Sequence, residues 1–598
     1  MVHGLDILTE DGSLLHGCPL TFLAYPRGFA RSLTDKRSQT LAQSSADFLD
    51  RIWPTSIPFS DYAFWRERFV PSQPPVRFSG HAIALLMVGA GSMEDTLASL
   101  REQTHSNWIA AAVPTDGSPT GFRPEEVNTF LLGEAKDVEI IVCGLSGSRF
   151  TQTTLQRLME TFAAGNGTKM VYGDFDVPTA DGGFWPIALP AFDYERMLEQ
   201  GYCSFLFAVR REILHSALFN AGATNIFRLF NACLDSGNDY LDSIVHLPGV
   251  LGTLPPLDLS STSADLARSS QAHLDARGDN ATATEASGNL LPSVCIRRAF
   301  SIDSVTVIIP TRNRADLLKA CVDSITPALT ALSAQLIIVD NDSNDHRSLA
   351  YLSELESIGA KVLRASGSFN YAALMNTAVE AAKGKHICLM NNDVRALSTQ
   401  WLTEMLSRLS PNDVGAVGCL LLRPSGVVQH GGIVLGPQFS AAHAFTDRLS
   451  TESGYSDLLH VARECNAVTA ACLVTRSEDY KAVGGMDEVH FPVNFNDIDY
   501  CLKLRAKGKR IVFTPRAVLE HEESATRGWT LTEQWRARFE RELTFFRAKW
   551  ANAIANDCYY SPILSPDPNP FTALAAHPPA LKPRRNERLV PRVIPGGF

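Results

Sequence analysis

The 598-residue chain has 12 cysteines but no Cys-x-x-Cys pair. Cys143, Cys388, Cys419 and Cys472 sit inside apolar runs. Zinc sites and disulfide frameworks rest on paired spacings, so the expectation is buried free thiols in a reducing compartment. No apolar run approaches the roughly 20 residues that span a bilayer. The longest, such as Ile83–Val88 and Val305–Pro310, are strand-sized. Met1–Glu10 carries acids and lacks the basic-then-apolar order of a secretory leader. A cytoplasmic protein is expected, with room for peripheral contact at the inner face of the membrane. A basic surplus is missing too: 54 Lys and Arg stand against 64 Asp and Glu, a net charge of −10. That argues against a dedicated nucleic-acid binder, though not against a local basic patch. No Gly-x-Gly-x-x-Gly follows Val305–Pro310, and no Gly-x4-Gly-Lys-Ser/Thr occurs, so neither a dinucleotide fingerprint nor a P-loop is present.

The length allows about three to five domains at roughly 100–200 residues each. Residues 1–78 show no clear periodicity and read as an N-terminal extension. Short apolar runs alternate with helical patterns over 79–258. Residues 259–301, rich in Ser, Ala, Thr and Asp, read as a linker. Alternation resumes over 302–552, and 553–598 is a Pro-rich tail with a basic segment near its end.

The second alternating region reads as strand, helix, strand, helix. Val305–Pro310 suits a buried parallel strand. Leu317, Leu318, Cys321, Val322 and Ile325 follow at helical spacing, and Pro327 is expected to end that helix. Leu336–Val339 and Ile387–Met390 are the next strands, with the stripe Tyr371, Leu374, Met375, Ala378 and Val379 between them. The fold class is therefore α/β, with a doubly wound, mostly parallel sheet. Thr311-Arg312-Asn313, Asp340–Ser343 and Asn391-Asn392-Asp393 each begin directly after a strand. In open α/β sheets, ligands bind at that shared carboxyl edge.

The first alternating region has a similar layout, which predicts two copies of one domain in tandem. On that reading Asp174-Phe175-Asp176 matches the acidic strand end at Asp393, and Val209–Glu212 matches Val474–Glu478. No Asp or Glu occurs from Ile213 to Leu234, where a counterpart of Asp497 should fall. The first copy is expected to be degenerate and inactive; Asp235 or Asp239 is the alternative source of a base.

A strand-end acid such as Asp393 suits Mg²⁺ or Mn²⁺, which take carboxylate and phosphate oxygens, although a loop Asp more often forms a turn. Asn496-Asp497-Ile498-Asp499 opens a helix, with Asn496 as the expected N-cap and Asp497 in the first turn. Capping alone would explain these residues; a carboxylate there could also act as a general base. His521 could ligate a metal and Arg527 could meet a phosphate.

These residues carry a resemblance. VTVIIPTRNR (305–314), IIVDNDS (337–343), FNYAALMN (369–376), LMNNDV (389–394), VTAACLV (468–474), VGGMD (483–487), FNDIDYCLKL (495–504) and HEESATRG (521–528) occur in order. Together they resemble the family-2 glycosyltransferases of bacterial surface polysaccharide and O-antigen synthesis. Tyr559–Pro570 resembles the tail of that group, and the 79–258 region is loosely similar to a second copy. The resemblance implies two GT-A-like domains with the second intact, a nucleotide-diphosphate sugar donor, Mg²⁺ or Mn²⁺, and inversion at the anomeric carbon. It implies a saccharide or lipid-linked oligosaccharide acceptor.

By position, the resemblance assigns Pro310, Thr311, Arg312, Asn313, Asp340, Asn391, Asn392 and Arg527 to the donor. It assigns Asp393 and His521 to the metal, Asp497 to the base, and Thr469, Gly485 and Asp487 to the acceptor side. The chain departs from the family in having one acid in Asn391-Asn392-Asp393 and Asn496-Asp497 in place of a Glu-Asp pair. Two other classes compete: a non-catalytic saccharide- or nucleotide-binding scaffold, and a nucleotidyltransferase.

Overall fold

A computed structural model describes residues 2–5, 20–23, 56–69 and 81–592, apart from 114–116, 166, 237–240, 302–303, 523–531, 580 and 587–588. Two α/β sheets dominate. The strands of the first are β1 (Ile83–Val88), β2 (Trp108–Ala112), β3 (Ile140–Leu145), β4 (Arg149–Phe150), β5 (Met170–Pro178), β6 (Phe184–Ile187), β7 (Leu206–Arg210) and β8 (Ile244–Thr253). They lie in the order β2-β1-β3-β7-β5-β8-β4, with β6 paired to β5. The hairpin β9 (Ala281–Ala286) and β10 (Ser293–Arg298) leads to the second sheet. Its main strands are β11 (Val305–Thr311), β12 (Gln335–Asp340), β13 (Lys361–Arg364), β14 (His386–Met390), β15 (Val394–Ala396), β16 (Val414–Leu422), β17 (Val428–His430), β18 (Cys472–Arg476) and β19 (Arg510–His521). Their order is β13-β12-β11-β14-β18-β16-β19-β15, with β17 paired to β16.

Apart from β13, the two orders coincide strand for strand, and so do the directions. β1 runs parallel to β2 and β3, as β11 does to β12 and β14. β7 is antiparallel to both neighbours, as is β18. β8 is parallel to β5 and β19 to β16. The central strands β1, β3 and β11 are buried on both faces, which explains their unbroken apolar runs.

The register of the match differs from the sequence expectation. Asp174 and Asp176 lie within β5, whose counterpart is β16, whereas Asp393 follows β14, whose counterpart is β3. After β3 the chain reads Ser146-Gly147-Ser148-Arg149, with no acid. Asp174 and Asp176 are fully buried and structurally committed. Asp174 accepts from the Leu189 and Gly249 amides and pairs with His246 at 2.7 Å. Asp176 accepts from Tyr62 Oη and pairs with Arg66, each at 2.8 Å. Of the alternative bases, Asp235 is held by Arg228 and His273, and Asp239 lies outside the described residues.

The stretch expected as a linker is built structure. Nine helices matter here: α1 (Tyr62–Phe69), α2 (Met93–Arg101), α3 (Tyr194–Gln200), α4 (Ile226–Ala232), α5 (Leu259–Ala276), α6 (Ala315–Ala331), α7 (Tyr371–Ala381), α8 (Trp401–Leu409) and α9 (Asn496–Ala506). Asp258 caps α5, and its small residues Thr262, Ser263, Ser269 and Ser270 are buried beside Leu266 and Leu274. Their hydroxyls are satisfied close by, as when Ser270 donates to Leu198 O at 2.8 Å. Small polar residues that suggested flexibility instead allow close helix packing. α6 likewise continues through Pro327, contrary to the expected stop.

α3 joins the halves through a buried ionic network. Glu195 meets Arg298, Arg408 and Arg510 at 2.7, 3.2 and 3.3 Å, and Glu199 meets Arg408 and Arg516 at 2.6 and 2.9 Å. Burial alone would raise the Glu195 carboxyl, but the three arginines outweigh it and hold it at about 2. The extension and tail also bridge: residues 56–58 pair with 573–575, Trp65 Nε1 donates to Ala575 O, and Arg584 pairs with His246 on β8. Among the described residues, no helix is long and apolar enough to cross a membrane.

Candidate active site

In the second sheet, strand order reverses between β11 and β14. The loops after these two strands therefore flank the crevice where open α/β sheets take ligands. Asn313 and Arg314 both have positive φ, 54° and 55°, and turn the chain from β11 into α6. Residues held in such sparsely populated conformations cluster at binding sites. The Asn313 side chain accepts from the Asn344 amide at 2.9 Å, and its own amide donates to Ser343 Oγ at 2.7 Å. Asp340, buried at the end of β12, pairs with Arg364 at 2.8 Å and accepts from the Ser343 amide. Pro310 is buried at the end of β11, whereas Arg312 is exposed on the loop. Asn392 Nδ2 donates to Thr311 Oγ1 at 3.1 Å, tying the loop after β14 to the one after β11.

The β15–β19 pairing places Val394 opposite His521, so Asp393 falls beside that histidine. Asp393 Oδ1 and His521 Nε2 are 3.1 Å apart, and both side chains are nearly buried. His521 Nδ1 donates to Gln429 Oε1 at 2.7 Å. Nε2 is thereby directed to the Asp393 carboxylate, with Asn391 Nδ2 3.4 Å away. That donor set fits a divalent cation completed by phosphate oxygens, as Mg²⁺ and Mn²⁺ prefer. No cluster of three or more protein ligands occurs among the described residues.

Residues 306–450 match the family model "Glycosyl transferase family 2". The C-terminal half carries a glycosyltransferase family 2 domain. Similar curated proteins include the uncharacterized protein y4gI of Sinorhizobium fredii, 39% identical over 45% of this chain and 30% of that protein. Another is the O-antigen biosynthesis protein RfbC of Myxococcus xanthus, 35% identical over 37% of this chain and 18% of that protein. The chain thus spans less than a third of the length of either. Among solved structures, the mannosyltransferase PcManGT of Pyrobaculum calidifontis, in complex with GDP-Man and Mn²⁺, is 20% identical, with a TM-score of 0.30 over 42% of this chain and 64% of that one.

Asp497 and His521 lie beyond the matched stretch, but the fold joins them to the family 2 domain. Asp497 Oδ2 accepts from the Ala470 amide at 3.1 Å and Oδ1 from the Ile498 amide at 2.9 Å. The next residue, Ala471, accepts from the Asn391 amide at 3.0 Å. A short backbone path therefore runs from Asp497 to the Asn391–Asp393 loop. Phe495, just before α9, is held at φ 61° and stacks on Phe546 at 4.9 Å, which anchors this strained helix start. Asn496, expected as the cap, instead donates its side chain to Val493 O.

The acceptor-side residues fall in two groups. Thr469 accepts from the Ala471 amide, within the same loop that holds Asp497. Gly485 and Asp487 sit farther along: Gly485 O accepts from Lys503, and Asp487 pairs with His490 and Lys549. Among the described residues, these contacts do not reach the Asp393–His521 pair. A Cβ at Gly485, whose φ is 63°, would come within 2.5 Å of Asn376 Oδ1, so the close turn requires glycine. Arg527 lies outside the described residues. Sequence reasoning missed Gln429, Arg364 and the Tyr371 hydroxyl, which donates to Ala470 O at 3.0 Å. The only sequence signal for Gln429 is a polar residue inside the short strand Val428–His430.

Proposed function

We propose that this chain moves a sugar from a nucleotide-diphosphate donor to a hydroxyl of a saccharide acceptor, in cell-surface polysaccharide synthesis. The carrying observation is the convergence at one sheet edge of the Asp393–His521 pair and Asp497. Thr311, Asn313, Asp340 and Asn392 would seat the nucleotide, with Pro310 shaping the strand end and Arg312 and Asn391 at the rim. Asp393 and His521 would hold Mg²⁺ or Mn²⁺, which when bound supplies positive charge against the diphosphate.

Asp497 would accept the proton of the acceptor hydroxyl as that oxygen bonds to the anomeric carbon. The carbon–phosphate-oxygen bond breaks in the same displacement, and the nucleoside diphosphate leaves with the bonding pair. The leaving group needs no acid, so one base suffices for an inverting reaction; a glycoside hydrolase typically uses two carboxyl groups. Two backbone amides fix the Asp497 carboxylate. Arg527 is assigned to the diphosphate by its sequence position. The 79–258 region is inferred to be a second GT-A-like unit that lacks these groups.

The test is a screen of sugar nucleotides with Mn²⁺ for nucleoside diphosphate release and product linkage. Asp497→Asn is expected to lower transfer by at least about 10³-fold with donor binding retained. Ordinary turnover by that variant would refute the base assignment, and pyrophosphate release would indicate a nucleotidyltransferase instead.

A further inference from the structure

The first sheet reverses its strand order between β1 and β3, just as the second does between β11 and β14. At that point lies a cavity of about 610 Å³. It is lined by Gly91 and Ser92 after β1, Gly147 and Arg149 after β3, and Pro255 after β8. These positions correspond to the strand ends that carry Asn313, Asp393 and His521 in the second sheet. Glycine lets the walls approach: a Cβ at Gly91 would stand 1.7 Å from Ser146 O, and one at Gly89, whose φ is 84°, 2.2 Å from Pro119 O. The cleft is present, without an acid in the place of Asp393.

We propose that this cleft binds a neutral saccharide and does not transfer it. The charged groups of its lining are Asp95, Arg149 and Asp258. Arg149 is paired to Asp95 at 2.7 Å, so the lining carries a net charge of −1. Arg66, 5.3 Å over the Phe184 ring, is committed to Asp176. A nucleoside diphosphate would meet net repulsion and no uncommitted cation among these residues. A sugar is the better complement. The Phe184 ring is 40% exposed at the wall and offers an apolar face to sugar C–H groups. The exposed Asp95–Arg149 fork offers acceptors and donors to hydroxyls, and the remaining lining is mostly proline, leucine and glycine. This proposal is independent of transfer by the second domain.

The experiment uses the full chain on an immobilised array of several hundred bacterial oligosaccharides, followed by calorimetric titration of the strongest hit. Phe184→Ala and Arg149→Ala are each expected to weaken that hit at least fivefold, with the melting temperature unchanged because both side chains are surface groups. Asp497→Asn should leave it unchanged. An array with no hit overturns the proposal, as does a hit indifferent to both cleft variants or sensitive only to Asp497→Asn. GDP or UDP binding that Arg149→Ala abolishes would mean the cleft takes a nucleotide, which also overturns it.

Discussion

The two sheets share strand order, direction and the position of their crevice, and they differ in where they spend their carboxylates. The second sheet sets Asp393 at a strand end beside His521 and puts Asp497 at the start of α9. In the first, the strand end after β3 has no acid, and α4, in the place of α9, begins at Ile226 behind the cap Asn225. Its acids Asp174 and Asp176 are turned inward to pin backbone amides and the N-terminal helix α1. The same strand order forms a crevice in both sheets; what differs is a few side chains at its rim that the core does not require.

The sharpest way to break this comparison is to exchange the fates of the acids. Asp393→Asn is expected to cut Mn²⁺-dependent transfer by about 10²–10³-fold, the scale of losing one preorganised electrostatic contact. Asp174→Asn should leave kcat nearly untouched while lowering the melting temperature, because Asp174 satisfies two amides and His246 in the core. Steady-state transfer and thermal unfolding on the same preparations separate the two. Equal loss of kcat in both variants would mean that the first sheet takes part in the chemistry.

How much of this was legible in the sequence follows from the same contrast. Parallel strands buried on both faces announce themselves as apolar runs, so β1, β11, β12 and β14 were readable, and with them the polar clusters that follow β11, β12 and β14. Register was not. Asp174 and Asp393 lie at nearly equal distances from their first strands, yet a spacing cannot tell that one is inside a strand and the other beyond a strand end. α5 was hidden because Ser, Ala and Thr look alike in a linker and in a tightly packed helix. The partners of His521 were hidden for a third reason: Gln429 reaches it across the sheet, over 92 residues of chain.

The ionic network tests whether the halves are one folding unit. Arg408 is fully buried between Glu195, Glu199 and Glu404. Arg408→Ala removes the buried cation shared by all three carboxylates and is expected to cost about 3–5 kcal/mol. Denaturant unfolding should then show both domains losing stability together, whereas an unchanged midpoint for either would show independent units. The sign with pH follows from Glu195, whose carboxyl is depressed to about 2. Its contribution is fully present above its unfolded value near 4.5 and is lost as pH falls toward 2.

The smallest effect concerns tuning. The Gln429 side-chain oxygen lies 2.7 Å from His521 Nδ1 and so orients the ring with Nε2 toward Asp393. Outer partners of this kind typically contribute about 10–100-fold in metal affinity. Gln429→Leu should weaken Mn²⁺ binding on that scale by electron paramagnetic resonance titration, whereas Gln429→Glu, which keeps an acceptor oxygen, should largely restore it. A purely structural role would lower the melting temperature in Gln429→Leu without moving the titration. In the first sheet β3 is followed by glycine and serine, with no acid for such a histidine to face, so no substitution at its rim should change Mn²⁺ affinity.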